Sequence, residues 1–465
     1  MTPRFFATEA TEIIEEDFDC GMRAATPNMK NGCDLKPRAT LAAIHAHRAR
    51  SSLCALCVLC GLMTFPGDMI AAPQPVVPVD GAAFSAELFS ITAAGDVRFK
   101  VDGQTEPVVL KLNDLVRWGH PVALRAQTIV VLADGGRLVT AADWSGGAAV
   151  QLKGDDVVVV SDAWDEVKVP RERVVGVVFA QQRSVVERET LVEEVGKRGG
   201  DPAAEAASPA DGVRLGNGDR LVGELSSLEK GSVTLKTAAG ETKLPLSRVE
   251  AIVLGRQAAD GESVARGARF AVGMRDGSLL YAKSIVADQG KATIELANGV
   301  KLSGGRVSDI VAVQSLGGRI EYLSDIERAD YRFVPYLSIA WPLARDRNVL
   351  NGPLVVDGKR YWKGLGLHSA ARATYKLDQT YRRFEASIAL DDAAKERGSV
   401  VCGAYVQRDG KWAEAFKSGT VRGGDSPRAV SIDLQGAQGL TLTVDFADRG
   451  DELDYADWLD ARLIQ

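Results

Sequence analysis

The sequence predicts a mostly β protein, with small SH3-like or Sm-like β-barrel repeats followed by a larger C-terminal β-sandwich. Three observations predict it. Polar and apolar residues alternate with period two between glycine-rich breaks, as in Ser232-Val233-Thr234-Leu235-Lys236 and Lys291-Ala292-Thr293-Ile294-Glu295-Leu296. An apolar strand running into an Asp-Gly or Asn-Gly turn recurs along the middle of the chain. From about residue 319 tryptophan and tyrosine become frequent and the strands lengthen.

The chain has 465 residues, a length that suggests about three domains. Its hydrophobic fraction of 46% and charged fraction of 25% are those of ordinary globular protein. The net charge of −6 comes without any long basic stretch, so the electrostatic footprint of a nucleic-acid binder is missing.

Residues 1–72 read as a disordered leader and signal peptide. His45, His47, Arg48 and Arg50 form a basic flank, residues 51–65 form an apolar core too short to span a bilayer, and Pro66-Gly67 breaks it. Met22 and Met29 are alternative starts. Cys54, Cys57 and Cys60 have a metal-like spacing, but they lie inside the apolar run without further Cys or His at a matching distance. Removal of the leader would leave Cys402 as the single cysteine. The expected location is therefore secreted, periplasmic or cell-envelope, with no membrane span in the mature chain.

Residues 73–80 read as an extended linker. The β-rich repeat region with its first units is placed at 81–183, helix and flexible linker at 184–211, and small barrels at 212–256 and 268–317. The units open at Ile129, Val213 and Phe270 and turn at Asp134-Gly135, Asn217-Gly218 and Asp276-Gly277, dipeptides that suit tight hairpins. They close on a shared Arg-Val-x-x-(Val/Ile)-Val spacing that starts at Arg173, Arg248 and Arg306, read as a helical turn leading into a last strand. A degenerate fourth unit ends near Trp118. Val185, Val186, Glu189, Leu191, Val192 and Val195 give the stretch after residue 184 a loose amphipathic stripe.

Residues 319–465 contain, in order, Lys363-Gly364-Leu365-Gly366-Leu367-His368-Ser369, Tyr381-Arg382-Arg383-Phe384, Asp391-Asp392, Gly398-Ser399-Val400 and Asp454-Tyr455-Ala456-Asp457-Trp458. This series resembles the NPCBM family, carbohydrate-binding modules found beside glycoside hydrolases of family 98. The resemblance covers the C-terminal third only. It implies a galactose-binding-like β-sandwich (jelly roll) that binds glycan without catalysing a reaction, with a galactose-type sugar as one candidate ligand. The repeats would then serve as spacer or as a surface for a protein partner. The alternative is a structural or scaffolding protein whose sandwich mediates protein–protein contacts.

A sugar site needs aromatic rings for the C–H face of a pyranose and polar groups for its hydroxyls. The candidates are Trp341, Arg347, Tyr361, Trp362, His368, Asp391, Trp412 and Arg449. Trp341 could equally be core, His368 a hydrogen-bonding residue at a strand end, and Asp391 a turn. No acid or base is spaced to partner His368, so no catalytic constellation is legible. An acid at every third residue through Asp451, Asp454 and Asp457 is a candidate structural calcium site.

Overall fold

The computed structural model describes residues 73–141, 149–179, 184–198, 210–229, 231–255, 267–328, 330–334, 340–377 and 381–465. The leader with its cysteine run, the linker at 199–209 and Tyr336 to Ile339 lie outside the described residues. Among the described residues no helix is long and apolar enough to cross a membrane.

Strands dominate from Gln74 onward. The first, third and fourth units share one plan: four hairpin-linked strands, a one-turn 3-10 helix and a closing strand that returns to pair with the first, whereas the second inserts a separate three-stranded sheet, Val150–Lys153, Asp156–Ser161 and Asp165–Pro170, before its own 3-10 turn and closing strand. In the first unit the strands are Gln74–Pro78, Phe84–Ile91, Asp96–Lys100, Val108–Lys111 and Leu115–Gly119, so the stretch read as a linker is a strand paired on both edges. The closing strands of the other units are Val174–Val178, Val249–Val253 and Ile310–Ser315.

The turn dipeptides act through one repeated geometry. Gly135, Gly218 and Gly277 have φ of 83°, 91° and 97°, and each donates its N–H three residues back, to Leu132, Leu215 and Met274. The side-chain oxygen of Asp134, Asn217 or Asp276 accepts the N–H two residues on, which holds the turn. The closing motif needs a correction of register. The 3-10 turns are Arg171–Arg173, Leu246–Arg248 and Val307–Asp309, so Arg306 precedes its turn whereas Arg173 and Arg248 end theirs. The apolar pair recurs at both offsets, and only the strand pairing separates them.

The units are not independent beads. The closing strand of the first pairs antiparallel with that of the fourth, Trp118 opposite Val313. The closing strand of the second pairs with that of the third, Val177 opposite Ile252. The partners are therefore nested, outer with outer and inner with inner. The helix Val185–Arg198 follows a reciprocal cap in which Ser184 and Glu187 exchange backbone–side-chain hydrogen bonds. Leu191, Val192 and Val195 pack it on Ile129, Val131, Val175, Val178 and Ala251, over the inner pair.

The C-terminal part is a sandwich of two antiparallel sheets. The six-stranded sheet runs Ala344–Arg345, Gly364–His368, Tyr455–Ile464, Arg383–Leu390 and Arg428–Asp433, with Ile320–Tyr322 added on the Tyr455–Ile464 strand. The five-stranded sheet runs Asp330–Phe333, Ala371–Lys376, Gly439–Phe446, Ser399–Arg408 and Lys411–Arg422. Between them Leu365, Leu367, Phe384, Ile388, Leu442, Val444 and Trp458 form one buried core. Trp458 is a core residue, as its apolar closing strand suggests, and Cys402 is buried in the same core without a disulfide.

The outer face of the six-stranded sheet lies against the barrels. In the strand Tyr455–Ile464, Asp460 has φ 48° and is the extra residue of a bulge opposite Glu385 and Ser387. The bulge aims Asp460 at the junction of the outer barrel pair. One of its oxygens accepts from Arg117 Nε at 3.0 Å and the other from Gln314 Nε2 at 3.0 Å. Arg117 and Gln314 are themselves cross-strand neighbours on the two closing strands. Asp80 of the first unit meets Arg319, Arg382 and Arg383.

Candidate functional site

The free end of the sandwich gathers aromatic rings. His368 ends its strand directly opposite Tyr455, which starts the next. The loop before the sheet brings Trp341 flat onto the imidazole, with centroids 4.7 Å apart and planes 3° apart. Tyr455 stands 6.1 Å from Trp341, and Phe333 meets the His368 ring edge-on at 6.2 Å. The Tyr331 hydroxyl donates to the Trp341 carbonyl at 2.7 Å and fixes the approach of that loop. Trp341 stays half-exposed while His368 is 3% exposed, so the indole is the open layer of the stack and the imidazole its support. An open polar hollow of about 720 Å³ adjoins it, lined by Asp325, Glu327, Arg328, Asp330, Tyr331 and Arg345.

The electrostatics keep this stack neutral. Burial holds the His368 imidazole below its ordinary range, against the opposing pull of the Ser369 hydrogen bond and the Asp451 carboxylate. Beneath it Asp454 is fully buried and accepts the Ser399 N–H at 2.9 Å. Burial pushes its carboxyl up to about 6, although the bonds from Ser399 and Ser369 favour the ionised form. Such an arrangement can stack a sugar ring and hydrogen-bond its hydroxyls.

Of the eight sequence candidates, the structure brings Trp341 and His368 together here, and Arg449 lies exposed at φ 65° in the loop that leads to Asp454. Tyr455 and Phe333 complete the cluster. Tyr455 lies in a motif that was quoted, but only strand pairing puts it across from His368.

Arg347, Tyr361 and Trp362 need correction as sugar contacts, because they face the barrels. Arg347 pairs with Glu193 of the helix, as Arg360 does with Glu189. Tyr361 packs on His120 at 4.8 Å and beneath the Arg117 guanidinium at 5.2 Å. Trp362 lies on Gly273, where a Cβ would come within 3.0 Å of the indole. Aromatic and Arg side chains serve an intramolecular interface by the same chemistry that serves a ligand. Asp391 is also corrected. It is 2% exposed, and its oxygens accept from Ala393 N and Val355 N, the turn role. Trp412 is half-exposed at the far end of the other sheet.

The structure does not bring the calcium candidates Asp454 and Asp457 together. A spacing of three sends Asp454 and Asp457 to opposite sides of their strand. Asp454 turns to Ser399, while Asp457 is buried against Asp391, where burial and the neighbouring carboxylates hold its carboxyl well above the usual range. Among the described residues no group of three or more His, Cys, Asp or Glu is placed to hold a metal ion.

The fold is thus a two-sheet sandwich that ends in a neutral aromatic cluster. Residues 321–464 match the model of the NPCBM/NEW2 domain, a carbohydrate-binding module family. A Renibacterium salmoninarum protein named for endo-alpha-N-acetylgalactosaminidase activity is 28% identical over 149 residues, 30% of this chain and 10% of that protein. Alpha-1,3-galactosidase B of Akkermansia muciniphila is 29% identical over 119 residues, 25% of this chain and 14% of the enzyme. The chain thus spans a small fraction of the length of these curated relatives. A solved structure of a CBM51 module from Clostridium perfringens GH95, in complex with methyl-galactose, is 22% identical, covering 31% of this chain and 99% of that one at a TM-score of 0.28. The fold here rests on the two sheets described above rather than on that likeness.

Proposed function

We propose that the chain is a secreted or cell-envelope protein, itself non-catalytic, whose sandwich binds a galactose-type glycan on the Trp341–His368–Tyr455 cluster while the barrels form its base. The half-exposed indole stacked on a neutral, buried histidine carries this reading. Both curated relatives are named for sugars of the galactose series, which makes methyl-galactoside the first probe. Calorimetric titration of the full chain with it is expected to show saturable binding. Trp341→Ala should weaken binding at least about tenfold, or ~1.4 kcal/mol. Unchanged affinity in that variant, at an unchanged unfolding temperature, would remove the site. The scaffolding reading gains instead if methyl-galactoside and N-acetylgalactosamine both fail to bind the wild-type chain.

A further inference from the structure

The outer face of the five-stranded sheet has a pattern that neither the barrels nor the Trp341 cluster uses. Strand pairing aligns its outward residues in cross-strand rows. One row runs Thr374, Thr441, Tyr405, and the next places Gly439 beside Gln407 and Trp412. At Gly439 an added Cβ would stand 2.8 Å from the Trp412 ring, so the indole lies down on the sheet across a backbone without a side chain. Trp412 and Tyr405 are nonetheless half-exposed. The Thr374 and Thr441 hydroxyls are 3.0 Å apart.

Charged outward residues flank the strip on several sides: Arg372, Lys376, Glu414, Lys417 and Asp445. Arg372 approaches Asp330 at 3.6 Å, and Glu414 accepts from the Tyr405 hydroxyl at 3.4 Å. The strip between them is uncharged, which suits a neutral ligand. None of the large, strongly exposed apolar side chains of the described residues lies among these outward positions, so the face lacks the anchors of a protein interface. Two flat rings, a row of hydroxyls and an amide are the chemistry that receives sugar rings. The four strands from Ala371–Lys376 to Lys411–Arg422 span about 14 Å at ~4.8 Å per interval, room for a short run of pyranoses.

This face is also remote from the first cluster. Ser399, which bonds Asp454 beneath His368, begins the strand on which Gln407 lies about 26 Å further along at ~3.3 Å per residue. One sugar unit cannot touch both. We infer that the outer face of the five-stranded sheet is a second binding surface, which takes an extended neutral polysaccharide laid across the strands on Trp412 and Tyr405. This rests on the reading of the sandwich as a glycan-binding module, and adds a polymer to its single-sugar end.

Native gels cast with galactan, galactomannan or xyloglucan test it on the full chain. The wild type is expected to be retarded by at least one of the three. Trp412→Ala should abolish the retardation, or weaken it at least about tenfold, and keep methyl-galactoside binding, while Trp341→Ala should do the reverse. Tyr405→Ala decides the matter if the Trp412 variant unfolds early. Retardation by none of the polymers, its persistence in Trp412→Ala, its loss in Trp341→Ala, or its disappearance in about 0.5 M salt would each overturn the second surface. Polymer failure with methyl-galactoside binding intact leaves the first site standing. Failure of both probes on the wild type sinks the two together.

Discussion

The sandwich has two outer faces built by the same alternation, and they have met opposite fates. On the six-stranded sheet, Asp457, Asp460 and Arg462 point away from the core and yet are 1%, 5% and 6% exposed, because barrels and loops cover them. On the five-stranded sheet, Thr374, Tyr405, Gln407 and Trp412 point outward and remain partly open. The covered face carries charges that need partners, and the open face carries, between flanking charges, hydroxyls and rings that water satisfies. A charge left inside an interface must be paired, which is why Asp460 commits both oxygens, to Arg117 and Gln314.

The largest effect should come from breaking that pairing. Asp460→Ala strands Arg117, 6% exposed, and is expected to cost about 3–5 kcal/mol in chemical denaturation. A loss below ~1 kcal/mol would mean that water reaches the covered face. Next, Tyr361→Ala removes the ring packed on His120 and Arg117 and is expected to destabilise by about 2 kcal/mol while leaving methyl-galactoside affinity unchanged. Impaired binding in that variant would undo the separation between interface and site aromatics.

The smallest effect is a pH dependence at the free end. The folded carboxyl of Asp454 titrates at about 6, above the ~3.9 of an unfolded aspartate. Its protonated form therefore favours the fold, with that stability present in full below about pH 4 and lost as pH rises through about 6. Asp454→Asn, which keeps an oxygen for the Ser399 N–H, should gain on the order of 1 kcal/mol over wild type at pH 8 and nothing at pH 4. Equal differences at the two pH values would place the titration elsewhere.

Which face would be covered was not legible in the sequence. Tyr455-Ala456-Asp457-Trp458 shows the alternation and the core tryptophan, but an outward acid reads alike whether it meets water or an arginine 343 residues away in the chain. The hairpin turns were legible because Asp134, Asn217 and Asp276 act within two residues of themselves. For the same reason the stretch at 73–80 was misread: Val76 is a strand residue only through Phe84 and Trp118. In the site, Trp341 and His368 could be picked out as residue types. Their stacking, and the diversion of Tyr361 and Trp362 to the barrels, depend on contacts that no local pattern encodes.

The nesting of the barrels bears on the birth of the protein. A ribosome releases the edge of Leu115–Gly119 long before its mate Ile310–Ser315 exists, whereas the two inner closing strands meet after a much shorter wait. Until the fourth unit is made the first barrel presents a bare row of backbone donors and acceptors, the kind of edge that invites pairing with the wrong chain. Maturation thus runs from the middle outward, and the first unit made is among the last to be finished.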